Sequence, residues 1–308
     1  MYRKILVPLD GSDFAEFALA PALSLAEKTG GTIYLVTVVP NFPPISPAEE
    51  DEGQTRGWFE EERVRAGNYL DDVKDRLGAA SPEVTVHAKV LSGGPARAIE
   101  ERVRSTGMEV IVMTTHGRGP LERMWIGSVA DGLVRSAPCP ILLWRPDGNG
   151  EADFSRRVSL DSVVVPLDGS GVARKMLPEA KGLAETFGSR LSLVSVVPDT
   201  LPLGSPYLPH AAEEQLERDQ RIQEYHDALE EAAEGLRTEG FEVETAVVRH
   251  AEPAQGILEH AREAGGDLIA MATHGRGGVS RLVLGSVADK IIRSGSIPML
   301  VRRLEEGD

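Results

Sequence analysis

Two glycine clusters carry most of the chemistry that this sequence offers. Gly117-Arg118-Gly119 is followed by Gly127-Ser128, with nine residues between Gly117 and Gly127, and the pattern returns as Gly275-Arg276-Gly277 and Gly285-Ser286. A Gly-Ser pair opening a helix suits an anion. The first turn presents unpaired backbone N–H groups and the positive end of the helix dipole, glycine lets a phosphate come close, and serine adds a hydroxyl. The alternative is a plain serine N-cap with no ligand. His116 and His274, with Arg118 and Arg276 between the glycines, could neutralise phosphate charge. Loop packing and a solvated surface would account for them equally well. Asp10 and Asp168 sit in Asp-Gly-Ser turns. A carboxylate there can accept a hydrogen bond from a sugar hydroxyl or a base N–H, or it can brace its own turn.

Each of these residues occurs twice. VPLDGS stands at 7–12 and 165–170, THGRG at 115–119 and 273–277, and GSVAD at 127–131 and 285–289, always 158 positions apart. The offset predicts two copies of one domain, 1–146 and 159–308, joined by a polar linker at 147–158 that carries Gly148 and Gly150. It also sorts candidates, because a residue type kept in both copies is the stronger one. Cys139 fails, since Ile297 is its counterpart, and it reads as a small buried apolar residue. At this offset His87 falls opposite Thr245 and His250 opposite Ser92, so neither is repeated.

A formal net charge of −15 argues against nucleic acid and anionic membranes as partners, both of which call for basic patches. One cysteine permits neither an internal disulfide framework nor a thiolate metal cluster. The chain opens into an apolar strand without a signal-like segment and has no apolar run of about 18 residues, so a cytoplasmic protein is expected. The pattern G-x-x-x-x-G-K-[ST] is absent, which excludes P-loop kinase or GTPase mechanics.

The elements that must hold these residues alternate between apolar runs and amphipathic stretches. In the first copy, strands are expected at 4–7, 32–39, 84–90, 110–113 and 140–144, and helices at 15–28, 60–77, 95–104 and 128–135. In the second copy, strands are expected near 162–165, 190–197, 242–248, 268–271 and 298–301. Such alternation calls for a parallel sheet covered on both faces, here two tandem doubly wound α/β/α sandwiches. Ligands of such sheets sit outside the carboxyl ends of the strands, where the strand order reverses, and the repeated motifs fall there.

On these motifs the chain resembles a tandem universal stress protein over essentially its whole length. Nucleotide-binding members of that family carry Gly, two residues, Gly, nine residues, then Gly-Ser or Gly-Thr. Gly117 with Gly127-Ser128, and Gly275 with Gly285-Ser286, match the later part. Thr114 and Ala272 stand where the first glycine, near the ribose, would be. The resemblance implies five-stranded, mainly parallel sheets of order 3-2-1-4-5. It implies an adenine nucleotide, ATP with Mg²⁺ in attendance, in each domain. It implies nucleotide contacts at Pro8, Asp10, Val38, Thr114, His116, Gly117, Arg118, Gly119, Gly127, Ser128 and Val129, with Asp10 toward the nucleoside, the Val38 backbone toward the adenine and Thr114 near the ribose. The second set is Pro166, Asp168, Val196, Ala272, His274, Gly275, Arg276, Gly277, Gly285, Ser286 and Val287. No catalytic residue and no protein metal site are assigned. A stress-response binding module is the leading reading, with a non-nucleotide-binding interaction protein or a slow ATPase as alternatives. Pairing of the two domains as an internal pseudo-dimer through the last strands is also implied, with a homodimer of chains left open.

Overall fold

The computed structural model describes residues 1–41, 52–115, 127–145, 152–154, 156–198, 211–273, 284–294 and 296–304. The chain divides into two compact units, Met1–Ser159 and Leu160–Asp308. Unit 1 runs β1 (Lys4–Pro8), α1 (Asp13–Glu16), α2 (Leu19–Thr29), β2 (Thr32–Val39), α3 (Glu52–Ala80), β3 (Thr85–Ser92), α4 (Pro95–Thr106), β4 (Val110–Thr114), α5 (Ser128–Ser136) and β5 (Ile141–Trp144). Unit 2 repeats the order as β6 (Ser162–Pro166), α6 (Gly171–Arg174), α7 (Leu177–Phe187), β7 (Arg190–Pro198), α8 (Ala211–Thr238), β8 (Val243–His250), α9 (Pro253–Glu263), β9 (Leu268–Ala272), α10 (Ser286–Ser294) and β10 (Met299–Arg302).

Within unit 1 the strand order is β3-β2-β1-β4-β5, and within unit 2 it is β8-β7-β6-β9-β10. Neighbouring strands are parallel in both. Right-handed crossovers place α2 and α3 on one face of the first sheet and α4 and α5 on the other. Covered on both sides, the central strands are apolar through their middles. All five residues of β4 and of β9 are buried, and Ile5, Leu6, Val7, Val163, Val164 and Val165 are fully so.

The helix expected over 15–28 is in fact two helices, broken at Phe17 and Ala18. Pro21 explains the break. It has no N–H for the carbonyl of Phe17, and its ring would press on that carbonyl in a continuous helix. Pro178 does the same to Arg174, which ends α6. The repeat offset also slips. Ile33 pairs with Val86, whereas Leu191, its counterpart 158 residues on, pairs with Val243, which is 157 beyond Val86. His87 therefore corresponds to Glu244 rather than Thr245, and His250 to Gly93 rather than Ser92. Neither histidine is repeated in this register.

The short helix after each first strand is tied to the long helix by an ion pair of reversed polarity. In unit 1, Glu16 of α1 accepts from Arg76 of α3 at 2.9 Å. In unit 2, Arg174 of α6 donates to Glu231 of α8 at 2.9 Å.

Candidate functional site

Strand order reverses between β1 and β4 in unit 1 and between β6 and β9 in unit 2, which opens a crevice at the carboxyl ends of those strands. The Asp-Gly-Ser turn lies at its edge. Gly11 and Gly169 both have φ of 78°, a conformation that glycine adopts without strain. The turn lets Asp10 Oδ1 accept from the Ser12 backbone at 3.0 Å and from its hydroxyl at 2.5 Å. Ser12 Oγ in turn accepts from Ala15 N at 3.2 Å, capping α1. Asp168, Ser170 and Ala173 repeat the arrangement at 2.9, 2.5 and 3.1 Å. One oxygen of each aspartate thus braces its own turn.

Beneath this turn the second strand is fixed by a hydroxyl that the sequence reading passed over. Thr37 Oγ1 donates to the Leu9 carbonyl at 2.9 Å, and Ser195 Oγ donates to the Leu167 carbonyl at 2.6 Å. The Leu9 and Leu167 amides reach the carbonyls of Val36 and Val194 at 2.8 Å. Val38 and Val196 follow, each half-buried at the strand end. The signal was present, since both copies keep a hydroxyl, Thr37 and Ser195, 158 residues apart and flanked by valines.

The helix start has no side-chain cap among the described residues. Gly127 is the N-cap, and Ser128 is the first helical residue, so serine is not the cap. Gly127 N donates to the Thr115 carbonyl at 2.7 Å, and Gly285 N donates to the Thr273 carbonyl at 2.7 Å. These bonds bring each helix start against the end of β4 or β9, beside the reversal of strand order. The first intrahelical bonds, Asp131 N to Gly127 O and Asp289 N to Gly285 O, are 2.9 Å. The repeated aspartates have a local task. Asp131 pairs with Arg135 and Asp289 with Arg293, one helical turn on, at 3.0 and 2.9 Å.

Thr114 and Ala272 end their strands, 5% and 7% exposed, opposite Trp144 and Arg302. Pro8 and Pro166 end β1 and β6, and Val129 and Val287 lie half-buried in the first turns of α5 and α10. The structure thus gathers the described candidates at the carboxyl edge of each sheet. His116, Gly117, Arg118, Gly119, His274, Gly275, Arg276 and Gly277 lie outside the described residues.

The two edges differ in detail. In unit 1, the hydroxyl of Tyr69 on α3 is buried; that burial first, and then the negative charges of Glu16 and Asp10, push its pKa well above the ordinary phenol value. No sequence signal marked Tyr69. In unit 2, His250 Nδ1 accepts from the Glu252 amide at 2.9 Å, ahead of α9. Gly256 of α9 sits so close to His250 and Val196 that an added Cβ would lie 2.8 and 3.1 Å from their atoms. The corresponding stretch of unit 1 is Gly93, with φ of 122°, and Gly94.

Known proteins bear on this arrangement in three ways. Over 305 residues the chain is 27% identical to Universal stress protein Rv2005c of Mycobacterium tuberculosis, covering 97% of this chain and 96% of that one. Its sequence is 32% identical over 144 residues to Universal stress protein MJ0531 of Methanocaldococcus jannaschii, 46% of this chain and 82% of the other. The fold is similar to that of a universal stress protein from Archaeoglobus fulgidus DSM 4304, with a TM-score of 0.68, 22% identity, and coverage of 98% and 99% of the two chains. The Universal stress protein family pattern matches twice, at residues 1–145 and 160–303. Two matches that span nearly the whole chain, on two units of the same doubly wound topology, place it in the universal stress protein family.

Proposed function

We propose that each unit binds one adenine nucleotide at the carboxyl edge of its sheet, with ATP as the reference ligand. In this reading the chain is a nucleotide-responsive regulator in the stress response, with working domains at 1–146 and 159–308. The observation that carries the reading is the start of α5. It is a nine-residue helix whose first turn has no cap among the described side chains, held by Gly127 against the end of β4. Its first-turn N–H groups and dipole suit a phosphate. Gly127, Ser128 and Val129, with Gly117 and Gly119, would receive the phosphates, and His116 and Arg118 would add positive charge. Asp10 and Thr114 would meet the ribose, and Pro8 and Val38 the base. Pro166, Asp168, Val196, Ala272, His274, Gly275, Arg276, Gly277, Gly285, Ser286 and Val287 would repeat these roles in unit 2. Mg²⁺ would arrive with the phosphates. Among the described residues, no group of three or more His, Cys, Asp or Glu side chains is disposed to hold it.

A pure interaction protein is the second reading. Thr114 and Ala272 favour it, since side chains stand where the nucleotide-binding pattern has glycine. Two measurements separate the readings. The purified protein is denatured and its supernatant searched for adenine nucleotide by mass spectrometry, and the nucleotide-free protein is then titrated with ATP·Mg in a calorimeter. The expected result is two sites per chain; no heat and no retained ligand at millimolar ATP would defeat the nucleotide reading.

A further inference from the structure

The residues that leave unit 1 toward unit 2 are pinned to the flank of unit 1. Arg157 makes three hydrogen bonds. Its Nε donates to Glu27 Oε2 on α2 at 2.6 Å, its Nη2 to the Ala80 carbonyl that ends α3 at 3.0 Å, and its Nη1 to the Phe154 carbonyl. A guanidinium at the negative end of a helix, paired with a carboxylate, is a favourable placement. Next to it, the Val158 amide donates to Ser24 Oγ of α2 at 2.9 Å. Phe154 lies beneath the guanidinium of Arg76, whose Cζ is 5.2 Å from the ring centroid. Glu27 is held below the usual carboxylate range. Burial works against this, but the hydrogen bonds from Arg157 and Ser81 outweigh it.

Arg76 is also the partner of Glu16, which connects this strap to the candidate site. Asp10 Oδ1 holds Ser12, Ser12 caps α1, and Glu16 ends α1. Glu16 then takes a hydrogen bond from Arg76, and Arg76 covers Phe154. Tyr69 of α3 is close enough for the carboxylates of Glu16 and Asp10 to raise its pKa, after its own burial. Each link is a direct contact except that from Ser12 to Glu16, which runs through the backbone of α1, and the two ends are the aspartate of the first crevice and the strap. In unit 2 the corresponding tie has reversed polarity, because α6 presents Arg174, which donates to Glu231 of α8.

We propose that nucleotide binding in the first crevice and docking of Phe154, Arg157 and Val158 onto α2 and α3 are thermodynamically coupled. The first nucleotide would then be the regulatory one, through a path that among the described residues is built in unit 1. This rests on the nucleotide reading of that crevice. A ligand that orders the Asp10 turn stabilises α1, α1 presents Glu16 to Arg76, and Arg76 is then fixed over Phe154. Coupling is reciprocal, so releasing the strap must weaken the nucleotide by the same factor that the nucleotide tightens the strap.

The test uses the full chain with the second crevice silenced by Gly285→Val. Backbone hydrogen exchange at Arg157 and Val158 is followed with and without saturating ATP·Mg, and ATP affinity is measured on the same samples. Expected are about fivefold or greater protection on binding, and an equal loss of ATP affinity in Arg157→Ala. Arg76→Met should keep ATP binding but abolish its effect on the strap. ATP that binds with no change in protection, and with parent affinity in Arg157→Ala, overturns the coupling and leaves the nucleotide reading intact. No ATP binding at all overturns both. Arg157→Lys, which keeps the charge but loses the three-point fork, should lie between parent and Arg157→Ala.

Discussion

Replacing Gly127 by valine isolates the helix start from everything else. Gly127 has φ of −57° and ψ of 148°, a conformation that valine adopts without strain. Its amide, which donates to the Thr115 carbonyl, survives the change. The structural cost is therefore that of a poor N-cap residue, on the order of 1 kcal/mol. For a unit of this size that lowers the midpoint of thermal unfolding by about 2–4 °C. The effect on a phosphate is far larger. An isopropyl group beside the first-turn amides keeps the anion from approaching them, and each hydrogen bond to a charged group contributes about 1.5–3 kcal/mol. Losing two costs about 3 kcal/mol, on the order of a hundredfold in affinity. Isothermal titration with ATP·Mg should give two sites for the parent, one for Gly127→Val or Gly285→Val, and none for the pair. Parent stoichiometry and affinity in both single variants would refute the assignment of phosphates to these helix starts. A midpoint shift several times larger than stated would refute the account of Gly127 as a strain-free cap.

Three further outcomes are expected. Ser195→Ala leaves the Leu167 carbonyl without its hydroxyl donor in a buried position and should cost about 1–3 kcal/mol in urea unfolding, with Thr37→Val behaving alike in unit 1. Arg302→Met removes the cationic partner of Glu179, a carboxylate only 2% exposed, and should destabilise unit 2 by about 1–2 kcal/mol, discounted because Arg302 is a third exposed. The third outcome concerns His260, whose Nε2 lies 2.9 Å from Ser192 Oγ and whose pKa burial lowers beneath 6.5 against the opposing pull of Glu263 and Glu244. Between that lowered value and 6.5 the unfolded chain binds a proton that the folded chain refuses. The stabilisation is thus complete above about pH 6.5 and is lost as pH falls toward the folded value. His260→Gln should flatten this acid-side decline in the unfolding free energy, and an unchanged slope would count against it.

The sheets were readable because their central strands are nearly continuous apolar runs and their edge strands are rich in valine, and all ten strands were placed to within two residues. Helix boundaries were harder. Gly53 and Gly57 depress helix propensity, so the expected start at 60 fell eight residues after the true one at Glu52. Pro21 and Pro178 sit in the first turn of α2 and α7, where proline is tolerated, and the break they impose upstream was missed. At the site, Asp10 and Gly127 were marked by repetition, and the structure adds what repetition cannot show. Asp10 spends one oxygen on its own turn, and glycine rather than serine is the cap. Tyr69 was invisible because its place depends on where α3 crosses α1, a tertiary fact with no local pattern.

The reversed ion pairs bear on how a duplicated chain keeps its halves apart. Tandem copies of one fold can exchange equivalent elements while folding. Leu229 and Leu236 of α8 match the buried Leu70 and Leu77 of α3, which puts Gly235 where Arg76 stands. Were α8 to close over unit 1, Glu16, its side chain 11% exposed, would lose its guanidinium and meet the turn that carries Glu231. The penalty is on the order of 2 kcal/mol for that carboxylate alone. Unit 1 thus carries a polarity mark by which its short helix fits its own long helix better than its sibling's, whereas Arg174 of unit 2 would find Asp72 on α3 in place of Glu231, so the bias toward correct pairing is built into the first half alone.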